Sequence, residues 1–347
     1  MTRYICIGEG YNLMKQMKKV LTMLLIAACM VSILGCTKNV GTSQDNASAN
    51  LPEEDEEEVK DDYKIGFSVI DMENPYFITL ESAAKEYLEE HGCTMITKDP
   101  GTDQYLQSKQ IQEFVEEGID AIILTPVSWE EITSSLKVLK DNGIKIINVD
   151  AQVKHMEYVD AYIGSDNYSA GYLCGMDLVE KCPEGGKIVI LECLTQNSMN
   201  DRITGFEEAI SKAAKGFEVV AREDTQGEFE RALNTSMTIL EENPDITAIM
   251  CGNDQLAVGA TTAANVLGLK DVLIYGVDGS PDIKKELAKA DTLIAGTAAQ
   301  SPINLGKGAA EIALKILNGN EYEKETYEEV FMINAENVSL YGTDGWQ

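Results

Sequence analysis

From Tyr63 almost to the C-terminus, short and nearly all-apolar runs alternate with longer stretches whose apolar residues recur at helical spacing. The runs predict strands over 64–70, 93–98, 120–125, 145–149, 159–163, 187–193, 217–222, 246–251, 272–277 and 292–297. The spacing between them predicts helices over 76–90, 104–117, 130–142, 168–181, 199–214, 228–242, 254–267 and 302–318. Gly92, Gly118, Gly143, Gly268 and Gly319 stand just past helix ends, where a left-handed cap costs glycine least. Strand–helix alternation means parallel strands with crossover helices, and strands apolar on both sides mean a sheet covered on both faces. Ten strands are more than one open twisted sheet usually takes before it splits. The expectation is an α/β protein of two doubly wound parallel-sheet lobes.

The segment before Tyr63 follows neither pattern. Residues 37–62 are rich in Thr, Ser, Asn, Ala and acid, a composition that buries too little to order itself and reads as a flexible tether. Lys15, Lys18 and Lys19 precede an apolar stretch, Val20 to Leu34, that ends at Gly35 and Cys36. The stretch is short of the about 20 apolar residues of a transmembrane helix, which disfavours an uncleaved anchor. Ile33-Leu34-Gly35-Cys36 resembles a bacterial lipoprotein lipobox, which implies a signal peptide over 1–35 and a lipid on Cys36. Ile26-Ala27-Ala28-Cys29 fits that box loosely but leaves a very short apolar core. Residues 1–13 are unlike a signal n-region, so translation is expected to begin at Met14 or Met17.

Composition changes the picture in two ways. The 58 acidic residues against 28 basic ones give a net charge of -30, which repels a phosphate backbone and argues against nucleic acid. Part of that charge is the solvated run Glu53 to Glu58 with Asp61 and Asp62, yet the folded part stays acidic without it. Beyond Cys36 the exported part holds Cys93, Cys174, Cys182, Cys193 and Cys251, an odd set without paired spacing, so no disulfide framework is expected. His91 and His155 are the only histidines, so no Cys/His cluster has zinc spacing and no metal or cofactor is expected.

In a doubly wound sheet, ligands bind outside the carboxyl ends of the strands. The polar and aromatic residues there are Asn74, Tyr76, Phe77, Asp150, Asn253, Asp254, Asp278 and Gln300, with Arg202 near a helix start. Carboxylate, amide and guanidinium groups each bridge neighbouring hydroxyls, and a ring face covers the C–H side of a sugar. The set suits a neutral polyol. It suits catalysis poorly, because no Ser, Cys or Lys is paired with a histidine base. Each residue also has a plainer reading: core packing for Tyr76 or Phe77, an Asx-turn for Asp278, and for Arg202 an ion pair along its own helix.

Read in order, these residues resemble the type I periplasmic sugar-binding proteins, near their ribose-binding members, over essentially all of 63–340. The resemblance is carried by Phe67-Ser68 with Asn74-Pro75-Tyr76-Phe77, Val149-Asp150, Ile163-Gly164-Ser165-Asp166-Asn167 and Arg202-Ile203-Thr204-Gly205-Phe206. Cys251-Gly252-Asn253-Asp254, Gly276-Val277-Asp278-Gly279 and Ala299-Gln300-Ser301-Pro302 complete it. Singly each motif is weak; seven in order are specific. The resemblance implies an N-terminal lobe of 63–165 plus 301–329 and a C-terminal lobe of 166–300 plus 330–347, hinged near 165, 300 and 330. It implies that Ser68, Asn74, Tyr76, Phe77, Asp150, Arg202, Asn253, Asp278 and Gln300 hold a small sugar in the cleft between lobes. It further implies a monomeric, non-enzymatic lipoprotein outside the cytoplasm that serves the membrane permease of an ABC importer.

Departures from the pattern leave the sugar open, from a pentose to a hexose, another polyol, or a solute with a cationic group facing Asp71 or Glu73. The arginine that usually follows the aspartate is Ala151, the aromatic before the helix at 228 is replaced by Gln226 and Gly227, and the first loop is longer and acidic. Trp129 is a candidate rim aromatic or a packed helix-start residue. The rivals are a sugar or autoinducer receptor for chemotaxis or two-component signalling rather than import, a lactose-repressor-type regulator, and an enzyme on the same scaffold. The regulator lacks its helix-turn-helix, since an export signal and acidic tether stand in that place.

Overall fold

The computed structural model describes residues 62–347; the expected signal peptide, Cys36 and nearly all of the tether lie outside the described residues. Every apolar run marked in the sequence forms a strand. The first sheet contains β1 (Lys64–Ser68), β2 (Thr94–Thr97), β3 (Ala121–Leu124), β4 (Lys145–Val149), β5 (Ala161–Ser165) and, from far along the chain, β11 (Glu325–Glu328). Its order is β11-β5-β4-β3-β1-β2, parallel throughout. The second contains β6 (Gly186–Glu192), β7 (Phe217–Asp224), β8 (Ala248–Cys251), β9 (Leu273–Asp278), β10 (Ile294–Ala299) and β12 (Phe331–Ile333). Its order is β12-β10-β9-β8-β6-β7, and only β12 runs antiparallel to its neighbour.

The expected pair of doubly wound parallel-sheet lobes is thus present. In the first lobe α1 (Pro75–Glu90) and α9 (Pro302–Leu317) pack on one face and α2 (Gln104–Glu117) and α3 (Thr133–Asp141) on the other. Because side chains alternate along a strand, Phe67 and Ile123 enter one core while Ile122 and Leu124 enter the other. The second lobe repeats this. α4 (Asn167–Lys181) and α5 (Asn197–Ser211) cover one face, and α6 (Phe229–Glu242), α7 (Asp254–Val266) and α8 (Pro281–Leu287) the other.

The elements without a sequence signal are the marginal ones. β11 and β12 are short edge strands without a buried run, and α8 is a seven-residue helix started by the Ser280 cap and Pro281. α3 begins at Thr133 rather than at 130, because Trp129 to Ile132 form a turn. The chain crosses between the sheets at 165–167, 299–302 and 328–331.

The C-terminal stretch 330–347, expected wholly with the second lobe, divides between the two. Val338 and Tyr341, in the short helix α10 (Val338–Tyr341), pack into the second lobe, whereas Trp346 packs against the first lobe's core. Fully buried Lys284 of α8 donates to the carbonyl of Gly345 and holds the tail in place. Packing between residues as far apart in sequence as Trp346 and Tyr76 leaves no trace in local periodicity.

Two glycines bring α4 and α5 into close contact. A Cβ at Gly171 would lie 1.6 Å from the carbonyl oxygen of Arg202, and one at Gly205 would lie 2.0 Å from that of Tyr168. Backbone obstructs both positions, so the helices would have to separate, and Arg202 with them. Gly171→Ala is expected to cost about 1–3 kcal/mol through overpacking. Chemical denaturation followed by circular dichroism checks this; an unchanged midpoint would mean the two helices are not held at this distance.

Candidate functional site

Each sheet ends its central strands at a cleft between the lobes, and the helices that follow begin there. Asn74 caps α1, its Oδ1 accepting the Tyr76 N–H at 2.9 Å, and Asn253 caps α7 by accepting the Leu256 N–H at 2.9 Å. The caps serve both the helix and the cleft, since polar groups are wanted at a helix start and solutes bind beyond strand ends.

Asp150 closes β4 and Asp278 closes β9, and both have positive φ, 66° and 144° respectively, which non-glycine residues seldom adopt. Such strain persists only where surroundings over-determine it. The Asp150 N–H donates to Ile163 O at 2.9 Å and its carbonyl accepts Tyr162 O–H at 2.8 Å, while its Oδ1 accepts Tyr76 O–H at 3.2 Å. The Asp278 carbonyl accepts the Gln300 N–H at 3.0 Å, and its Oδ1 accepts Gln300 Nε2 at 2.7 Å. Both carboxylates are thereby turned off their strand ends into the cleft.

Arg202 approaches from α5 and is 3% exposed. Its Nε donates to Asn167 Oδ1 and its Nη1 to Gly252 O, each at 2.8 Å, and Nη1 lies 3.6 Å from Asp278 Oδ1. The plainer reading, a pair along its own helix, does not describe it. Its guanidinium instead ties α4, the β8–α7 turn and Asp278 together.

These groups line one cavity of about 370 Å³. Asn74, Tyr76, Phe77 and Asp150 enter it from the first lobe; Arg202, Asn253, Asp278 and Gln300 enter it from the second and from the crossing after β10. Ser68 is the exception among the candidates. It is fully buried behind the wall, where its hydroxyl accepts Gln107 Nε2 at 3.2 Å. Tyr76 and Phe77 meet edge to face with centroids 5.3 Å apart. The lobes touch across the cleft through Asn74 Nδ2 to Gln255 Oε1 at 3.4 Å and Trp129 N–H to Thr195 O at 3.0 Å. Trp129 contributes that backbone contact and no part of the cavity wall; the Lys154 ammonium stands 5.6 Å above its ring.

Burial governs the electrostatics. It pushes the Asp278 carboxyl up to about 8, with Arg202 opposing, Asp254 and Asp150 adding to the rise, and the Gln300 hydrogen bond lowering it. Asp150 is raised for the same first reason, against Arg202 and Tyr76. Asp254, a strand-end residue, lies outside this cavity; it ties the second lobe together by accepting Thr297 O–H and the Ser280 N–H, each at 2.7 Å. Among the described residues no group of three His, Cys, Asp or Glu is placed to hold a metal ion, and all five cysteines are free thiols.

Sequence reasoning missed several parts of the wall. Gln196, Met199 and Gln255 sit just after strands or at helix starts, so the strand-end rule applied more widely would have found them. Phe229 opens α6 and supplies an aromatic where 226 and 227 lack one. Trp346 stands edge to face with Tyr76 at 5.7 Å and lines an adjoining cavity, with no local signal pointing to it.

Two α/β lobes joined by three chain crossings, with polar strand ends converging on a cavity between them, define a solute-binding protein of the two-lobed class. The chain belongs to the periplasmic binding protein family, whose domain model matches residues 65–321, and within it to the type I sugar-binding proteins that its motifs resemble. It is similar to the ribose import binding protein of Bacillus subtilis, at 27% identity over 76% of this chain and 85% of that protein. Among solved structures it is similar to an ABC transporter solute-binding protein of Mycobacterium smegmatis with bound glycerol, at TM-score 0.77 and 26% identity, covering 82% and 98% of the two chains. A periplasmic solute-binding protein of Actinobacillus succinogenes with bound D-allose gives TM-score 0.73 and 26% identity over 80% of this chain and all of that one. These relatives are binding proteins, not enzymes.

A carboxyl raised on folding binds its proton more tightly in the native state than in the unfolded one. Asp278 therefore makes the stability of the unliganded protein fall as pH rises from about 4 toward about 8. Asp278→Asn is expected to flatten this slope and to raise stability most at pH 8. Melting temperatures of both proteins between pH 5 and 8.5 check it, and parallel slopes would contradict it.

Proposed function

We propose that the protein is an extracytoplasmic, lipid-anchored solute-binding protein that captures a small sugar or other polyol between its lobes and presents it to the permease of an ABC importer. The observation that carries this is the convergence of eight strand-end and helix-start side chains from two lobes on one cavity of about 370 Å³. That volume falls at the small end of solute pockets. Carboxylates, amides and a guanidinium stand opposite two aromatic rings there, which is the chemistry of a ring with hydroxyls on its rim and C–H on its faces. Relatives named for ribose import and solved with D-allose point the same way, as does a family whose members work outside the cytoplasm.

The lobes close on the solute because only the closed state makes both sets of contacts, and a permease reading closure distinguishes loaded from empty protein. The lipid on Cys36 would keep the protein beside that permease. Cys36→Ser is expected to move it from the membrane fraction to the soluble one, as immunoblotting of fractionated cells would show.

A thermal-shift panel of pentoses, hexoses, inositols and nucleosides identifies the ligand, since a solute at a hundred times its Kd stabilises the native state by about 2.7 kcal/mol. Asp278→Ala is expected to abolish the shift. A mutant that responds like the wild type would place the binding site elsewhere.

A further inference from the structure

The cavity wall carries more carboxyl groups than cations. Asp71, Glu73, Asp150, Glu228, Glu230 and Asp278 line it, and Arg202 is the cation among the lining residues. The position after Asp150 is a fully buried alanine, so no second guanidinium reaches the site from there.

The carboxylates also oppose one another between lobes. On the floor, Asp150 of the first lobe faces Asp278 of the second, and Arg202 answers both. At the mouth, Asp71 of the first lobe and Glu228 of the second line the same cavity; half-burial raises the Asp71 carboxyl against the Glu73 N–H it accepts, and Asp99, Glu73 and Glu228 add to the rise. Glu228 has a partner in Arg231 at 2.7 Å, but that pair lies on the exposed side of one helix, where such pairs contribute little. Closing the lobes therefore brings like charges together at the mouth with no protein cation among the wall residues between them.

The wall also holds one buried acceptor that the protein leaves unmet. Gln300 is 1% exposed; its Nε2 is spent on Asp278, and its Oε1 has no hydrogen-bond partner. A buried acceptor of this kind calls for a donor on the solute. Hydroxyls supply both donors and acceptors, whereas an ammonium group supplies three donors and no acceptor.

We infer that the solute is an aminated polyol, with hydroxyls engaging the Asp150, Asp278 and Gln300 floor and a protonated amine at the mouth between Asp71 and Glu228. This names the ligand class of the site described above and rests on that polyol reading. The amine supplies the second cation of the site and stands where it removes the repulsion that closure creates, so it favours the closed state specifically.

Isothermal titration of the full chain with matched pairs tests the inference. The pairs are pentoses, hexoses and inositols set against their amino-deoxy counterparts in low salt at pH 7. For the pair that binds, the amino member is expected to bind at least tenfold more tightly, and added salt should narrow the ratio because the mouth is open to screening. Asp71→Asn should reduce the ratio at least threefold. A hydroxyl member that binds as tightly as its amino partner, or more tightly, overturns the inference and leaves the polyol site standing. An undiminished ratio in Asp71→Asn overturns the placement of the amine at the mouth. Silence from both arms overturns the polyol reading itself.

Discussion

Arg202 stands against three buried carboxylates, Asp150, Asp254 and Asp278, and the geometry of the cleft depends on that imbalance. A guanidinium buried among excess acids is held in place by charge as well as by hydrogen bonds, and removing it would leave charges without solvent or partner. Arg202 is kept there by the close approach of α4 and α5 at Gly171 and Gly205, which puts its backbone against the neighbouring helix. The acids gain less than they lose. Asp278 rises because one guanidinium cannot offset burial and two like neighbours.

The backbone is part of the same arrangement. Both central aspartates adopt positive φ at the carboxyl end of a parallel strand, Asp278 as its last residue and Asp150 just past it, and each is held by a hydrogen bond from or to the neighbouring strand or crossing. Stability and binding pull in opposite directions at these positions, as they commonly do at functional sites. The helix caps show no such conflict. Asn74 and Asn253 satisfy orphan N–H groups with one atom of the amide while lining the cleft, so a residue chosen for local helix energetics also forms part of the wall.

The lobes are joined by three chain crossings and by the tail, in which Lys284 holds Gly345 and Trp346 reaches the first lobe's core beside Tyr76. Tyr76 thereby contacts Asp150 on one side, Phe77 on another and Trp346 on a third. An aromatic fixed on several sides presents a defined face at little entropic cost, which is what stacking on a sugar ring requires.

The alternation of all-apolar runs with helical spacing was enough to determine the two-lobed α/β class, because parallel strands buried on both faces need uninterrupted Val, Ile and Leu. The same pattern located the cavity wall in outline: strand ends are where polar residues interrupt an apolar run, so Asp150, Asn253 and Asp278 stand out locally. It did not separate Asp254, which lies outside the cavity, from residues that line it, since strand position alone does not say which way a terminal side chain turns; Ser68, implied by the resemblance, is buried behind the wall. Edge strands β11 and β12 bury too little to leave a periodic trace. The contact of Trp346 with Tyr76, the placement of Asp71 and Glu228 on one cavity wall, and the unpaired Gln300 oxygen were decided only by tertiary structure. Each depends on distances between residues far apart in the chain, and these are set by how two lobes pack and close rather than by any local preference.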